Sequence, residues 1–87
     1  MNYSDNYLTR AHKASFKNMD ELRNDTLCGC FYCMKIFSPK EIKETVEEND
    51  RKETALCPYC EIDSVIGKST GFPITKSFLS VMCSKYF

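Results

Sequence analysis

The 87-residue sequence has no surplus of charge of either sign, one histidine and no long apolar run. Twelve lysines and arginines balance twelve aspartates and glutamates. That balance removes the electrostatic footprint of a dedicated nucleic-acid or anionic-membrane binder, although it leaves room for a local patch. No stretch approaches the roughly 18 apolar residues of a membrane span, so no membrane partner is expected. The opening MNYSDNYLTRAHKASFKNMDELR contains neither an apolar h-region nor a small-residue cleavage site, which predicts a cytoplasmic location. With 43% hydrophobic and 28% charged residues, the composition also excludes wholesale disorder, a collagen-like repeat and a coiled coil.

What the chain does have is cysteine, six in all. A domain of this size buries only about 60 to 65% of the surface of its unfolded chain, so its core is marginal without help. In a reducing compartment structural disulfides are rare, and paired cysteines serve metal binding or redox chemistry instead. Cys30-Phe31-Tyr32-Cys33 is followed, after 23 intervening residues, by Cys57-Pro58-Tyr59-Cys60. Two residues between cysteines allow a tight knuckle that points both sulfurs at one ion, and two such knuckles supply the closed tetrahedral set of structural zinc. The predicted metal ligands are therefore Cys30, Cys33, Cys57 and Cys60, holding one structural Zn2+. A single iron or an iron–sulfur cluster is the chemical alternative for four thiolates. A thioredoxin-like site would need one pair in a βαβ context. Cys28 stands close enough to Cys30 to replace it, and otherwise enters the knuckle as a small hydrophobe; Cys83 is expected to be partly buried.

Around these pairs the reading is a small α+β domain with short strands and about three helices, either treble-clef-like or a zinc-knuckle domain. Residues 1–26 form a polar arm whose first dozen residues read as mobile, with a short helix near Met19–Asn24; Leu8 and Phe16 are placed to pack on the domain. Residues 27–87 form the four-cysteine domain with its C-terminal helix. Ser38-Pro39-Lys40-Glu41 has the form of a capping box with proline at the first helical position, and Phe37 with Ile42 fits a hydrophobic staple. The spacing predicts a helix from Pro39 to Glu48 burying Ile42 and Val46. Glu47 with Arg51 and Glu48 with Lys52 would then be paired along a solvated face. Thr54-Ala55-Leu56 reads as a strand that would pair with Met34–Phe37. Ile62, Val65 and Ile66 suit one or two helical turns, with a strand as the alternative. Gly67–Gly71 is a turn-rich loop, and Thr75 caps a last helix bearing Phe78, Leu79, Met82 and Tyr86 on one face.

The motif CxYCxxxF at Cys30–Phe37, with a later CxxC opening a helix, resembles the treble-clef finger of HNH-type proteins over about residues 30–66. Those nucleases carry a histidine-bearing hairpin between the two pairs. Here the gap has no histidine and is expected to hold a helix, so the resemblance implies the metal scaffold without the activity. From about His12 onward the chain is also similar to a group of small bacterial cytoplasmic proteins of uncharacterised activity, through Cys28–Cys33, Thr54–Cys60 and Ile62–Gly67. That pattern implies a glycine after the second pair, where this chain has Glu61.

No residues assemble for catalysis: His12 stands alone in the polar arm, and Asp63-Ser64 read as a polar helix start. The expectation is a non-catalytic zinc-binding interaction module with a protein partner. Tyr32 and Tyr59 are either exposed rings beside the knuckles or shields of the metal. Nucleic-acid binding is the alternative, through Lys68, Lys76 and Lys85.

Overall fold

The computed structural model describes residues 3–87. Helices α1 (Asp5–Lys13) and α2 (Met19–Leu22) precede strands β1 (Cys28–Cys30), β2 (Ile36–Phe37), β3 (Thr45–Glu47), β4 (Glu53–Ala55) and β5 (Val65–Gly67), and α3 (Lys76–Tyr86) closes the chain. The strands form two antiparallel sheets, one ordered β2-β1-β5 and the other β3-β4. The expected small α+β class with short strands and three helices is observed. No helix among the described residues is long and apolar enough to cross a membrane.

Side chains on a strand point alternately to its two faces, and this alternation divides the interior. Cys28, Cys30 and Val65 face one cluster, shared with Met19, Leu22, Phe37, Ala55 and Cys57. Ile66 faces the other, shared with Leu8, Ala11, Phe31, Phe78, Leu79 and Met82. Gly29 lies between the two cysteines, where α3 comes nearest. A Cβ there would sit 2.9 Å from Leu79 Cδ1 and 3.2 Å from Ile74 Cγ2. Asn18 ties the two sheets together, donating to the Val65 carbonyl of β5 at 2.7 Å and accepting from the Ala55 amide of β4 at 3.2 Å.

Several elements differ from the sequence reading. Helix α1, Asp5–Lys13, takes up residues 5–12 of the first dozen that read as mobile; residues 1 and 2 lie outside the described residues. Ser4 caps this helix by accepting from the Tyr7 amide at 3.1 Å, and Arg10 and Lys13 occupy its last turn, where cations are favoured by the negative end of the helix dipole. Leu8 is buried as expected, but Phe16 is 51% exposed.

The helix expected over Pro39–Glu48 is a single 3-10 turn, Pro39–Glu41. Its capping box forms, with Ser38 N–H donating to Glu41 Oε2 at 3.1 Å and Lys40 N–H to Ser38 Oγ at 3.3 Å. Ile42 then turns extended at ψ 123° and the chain enters β3. Thr45 and Val46 are β-branched and favour a pleated strand over a helix. They pair with Ala55 and Thr54, so β4 joins β3 rather than Met34–Phe37. Val46 is consequently exposed, and Glu48 accepts a hydrogen bond from the Thr54 hydroxyl at 2.9 Å instead of pairing with Lys52. The helical turns expected at Ile62–Ile66 do not form; Val65 and Ile66 lie in β5, where a two-residue period sends these neighbours to opposite clusters. The last helix forms as expected, with Thr75 Oγ1 accepting from the Phe78 amide at 3.2 Å.

Gly29→Ala should therefore destabilise the protein by about 1 to 3 kcal/mol, as overpacking does between well-packed layers. Denaturant unfolding of the metal-loaded protein measures it; an unchanged midpoint would show that α3 does not press on β1.

A four-cysteine candidate metal centre

Each CxxC pair folds into the same local structure. In the first, the Met34 amide donates to the Cys30 carbonyl at 2.9 Å, the Tyr32 amide to Cys30 Sγ at 3.3 Å, and the Cys30 amide to the Lys35 carbonyl at 3.0 Å. In the second, the Glu61 amide donates to the Cys57 carbonyl at 2.8 Å, the Tyr59 amide to Cys57 Sγ at 3.4 Å, and the Cys57 amide to the Ile62 carbonyl at 3.0 Å. The residue after each pair is left-handed, with φ of +62° at Met34 and +65° at Glu61. Glu61 thus takes the conformation for which a glycine was expected. That conformation costs an L-residue about 1 to 2 kcal/mol.

The two knuckles face each other. Cys30 Sγ lies 3.6 Å from Cys60 Sγ, Cys33 Sγ lies 3.7 Å from Cys57 Sγ, and all four sulfurs fall within 4.8 Å of one another. An ion bound tetrahedrally with metal–sulfur bonds of about 2.3 Å holds its sulfurs about 3.8 Å apart, so the donor set fits such an ion. All six cysteines are free thiols. Cys30 and Cys57 are buried, while Cys33 and Cys60 reach partway to the surface.

Electrostatics make the cluster unfavourable as four bare thiolates. Burial, with the nearby Cys30 adding a smaller repulsion, pushes the Cys57 thiol up to about 11, and Cys60 is raised for the same main reason. Burial also opposes ionisation of Cys30, but hydrogen bonds from Ser64, from the Cys33 and Tyr32 amides and from Cys60 outweigh it and hold that thiol below its ordinary value. A cation held by these four sulfurs would supply the compensation that the bare thiolates lack.

Cys28 does not join the cluster. Its side chain is fully buried, its thiol donates to the Phe37 carbonyl at 3.4 Å, and burial pushes it up to about 12. It packs as a small hydrophobe, and Cys30, not Cys28, belongs to the cluster that could hold an ion. Cys83 is half-buried at 3.6 Å from the Tyr32 carbonyl.

Sequence reasoning missed Ser64. It is 1% exposed, its hydroxyl lies 2.9 Å from Cys30 Sγ, and its carbonyl accepts from the Phe31 amide at 2.9 Å. Rather than starting a helix, Ser64 clamps the first knuckle from the segment that links the second knuckle to β5. Tyr32 and Tyr59 remain 44% and 52% exposed. Each is held by contacts beside its knuckle, Tyr32 edge-on to Phe87 at 4.7 Å and Tyr59 against Phe37 at 5.6 Å with its hydroxyl on the Glu41 carboxylate. His12 supplies no ligand. Its ring stacks on Tyr86 at 4.1 Å, and with Asp63, Ser64, Phe16, Phe31 and Phe87 it lines a cavity of about 260 Å³.

Ser64→Ala should weaken metal affinity by about 10- to 100-fold, the usual effect of removing a hydrogen bond to a ligand, without altering metal stoichiometry; competition with a chromogenic chelator reads this directly. Glu61→Gly should stabilise the protein by up to about 1 kcal/mol through relief of the left-handed backbone, and a lower unfolding midpoint would refute that cost.

Comparison of the chain with protein-family models, with curated proteins and with solved structures finds no match, so the reading of this centre rests on its own geometry.

Proposed function

We propose that the protein is a zinc-stabilised, non-catalytic interaction module that binds a protein partner. The observation that carries this reading is the convergence of four cysteine sulfurs within 4.8 Å of one another. Zinc has no ligand-field preference and accepts the tetrahedral four-thiolate set, and in a site so filled it supplies folding energy rather than an activated water. Iron would fit the same sulfurs; zinc is the reading because two facing CxxC knuckles are its common structural frame.

Two further observations support a binding role. His12 makes no side-chain hydrogen bond to an acid or a hydroxyl among the described residues, so its imidazole is not held as a general base would be. A divalent ion with four thiolates would leave the otherwise neutral chain at a formal charge of about −2, which disfavours a phosphate backbone. Lys85 is also engaged, 3.2 Å from Asp5, which weakens the C-terminal lysine set on which nucleic-acid binding would depend. Of the two architectures, we favour a double-knuckle domain over a treble clef, because the second knuckle leads into β5 and not into a helix.

Elemental analysis of the dialysed protein should give one zinc per chain, and a strong chelator should unfold it, since four-cysteine zinc binding contributes about 10 to 16 kcal/mol to folding. A metal-free but folded protein, or stoichiometric iron, would overturn the zinc assignment. Affinity capture from cytosol with the zinc-loaded chain should recover protein in a nuclease-resistant manner. Capture that vanishes on nuclease treatment would favour the nucleic-acid reading.

A further inference from the structure

A groove runs between the first knuckle and α3. It has a volume of about 670 Å³ and is lined by Cys33, Met34, Lys35 and Ile36 on one wall and Lys76, Ser77 and Ser80 on the other. The first wall ends in β2, the outermost strand of its sheet. Ile36 pairs with Gly29 there, and the neighbouring Cys30 amide bonds the Lys35 carbonyl. Antiparallel ladders alternate, so the backbone N–H and C=O of Ile36 point away from β1 toward the open edge. The side chain of Ile36 is 37% exposed.

Apart from Cys33, the ionisable side chains of the groove are of one sign. It has two lysines and no carboxylate in its lining. Elsewhere Lys17 pairs with Asp50, Arg23 with Asp20 and Glu53, and Lys85 with Asp5, but neither Lys35 nor Lys76 forms an ion pair among the described residues. Lys35 instead lies 5.5 Å from the Tyr59 ring centroid. No aromatic side chain lines the groove, so unpaired bases would have no ring to stack on.

We propose that this groove binds an extended acidic peptide segment of a protein partner, which adds as a strand to the free edge of β2 with its carboxylates toward Lys35 and Lys76. The inference rests on the protein-binding reading above and specifies its surface. Backbone pairing with Ile36 supplies register, alternate apolar side chains meet Met34 and Ile36, and the two lysines select for acid, as strand addition to a sheet edge generally works. The metal stands behind this edge, because β2 begins three residues after Cys33.

The test is an NMR titration of the isotope-labelled, zinc-loaded protein with a peptide of alternating glutamate and valine, about eight residues long to match an ordinary strand, at low salt. A lysine–valine peptide and a single-stranded oligonucleotide serve as the other arms. The acidic peptide should shift the amides of residues 34–37 and 76–80 and slow hydrogen exchange at Ile36. The double variant Lys35→Glu/Lys76→Glu should weaken this binding by about tenfold or more, as reversing charges that face a charged partner does. Ile36→Pro, which removes the outward N–H together with the isoleucine side chain at an edge where proline is tolerated, should abolish it, Ile36→Val, which keeps the N–H, should retain most of it, and zinc content will report that the variants are folded. Absence of shifts at millimolar peptide, equal binding of the lysine peptide, preferential binding of the oligonucleotide, or unchanged affinity in both the double variant and Ile36→Pro would overturn the proposal. If a captured partner footprints on another face while the groove stays silent, this inference fails and the protein-binding reading stands.

Discussion

Four sulfurs brought within 4.8 Å of one another are the constraint on which the rest of the molecule depends. Assembling them without a cation is unfavourable twice over, because burial opposes ionisation and ionised neighbours repel. The protein nevertheless commits two knuckles, two left-handed backbone positions and a buried serine to this assembly. A core of this size explains the commitment. Its strands are two or three residues long, too short to be stable by pairing alone, and α2 is a single turn. A central ion would let such fragments act as one unit by fixing the ends of four of them: β1 ends at Cys30, β2 follows Cys33, β4 precedes Cys57, and β5 follows Cys60 through Ser64.

Strand β1 then divides what the centre organises. Its cysteine face looks toward the ligands and α2, and its glycine face receives α3. The two faces need opposite properties, one donating a sulfur and the other offering no side chain at all, and alternation along Cys28-Gly29-Cys30 satisfies both within one short strand. Gly67, paired with Cys28 at the other end of the ladder, follows the same logic. A Cβ there would run into the Asp25 carboxylate and lie 2.9 Å from Leu22 Cδ2. Asp25 accepts from the Ser69 amide at 2.8 Å and from the Thr26 amide at 2.9 Å, so it anchors the turn after β5. These hydrogen bonds hold its carboxyl below the usual range against the opposing effect of burial.

The parts of this structure that were legible in the sequence are those with short-range causes. The CxxC spacing identified the four clustered cysteines, Thr75 identified the start of α3, and the capping box at Ser38–Glu41 was correctly placed. The error lay in extending that box into a helix. A capping box fixes only the first turn, and the path of the chain beyond it depends on whether Thr45 and Val46 find a strand partner, which is a long-range fact. The same limit explains Val65 and Ile66: two adjacent apolar residues have no period, and only the two clusters on either side of β5 decide between strand and helix. Asn18 and Ser64 escaped notice for a related reason. Each is an ordinary polar residue locally, and each matters through partners 34 to 47 positions away.

The placement of the metal centre also bears on how a neutral surface can be selective. A bound four-thiolate ion carries net negative charge, and Lys35 and Lys76 line a groove that Cys33 shares. Part of their charge is therefore directed at the cluster itself, which limits how strongly they attract a second anion and makes a weak, salt-sensitive contact the expected regime. Backbone pairing along β2 carries no such penalty, since Ile36 offers its N–H and C=O whatever the charge behind it. In the proposed binding mode, affinity at this edge would depend on the strand and selectivity on the lysines. Both would depend on an ion held by Cys33 and its three neighbours, so a chain without metal would lose the strand edge and the charge pattern together.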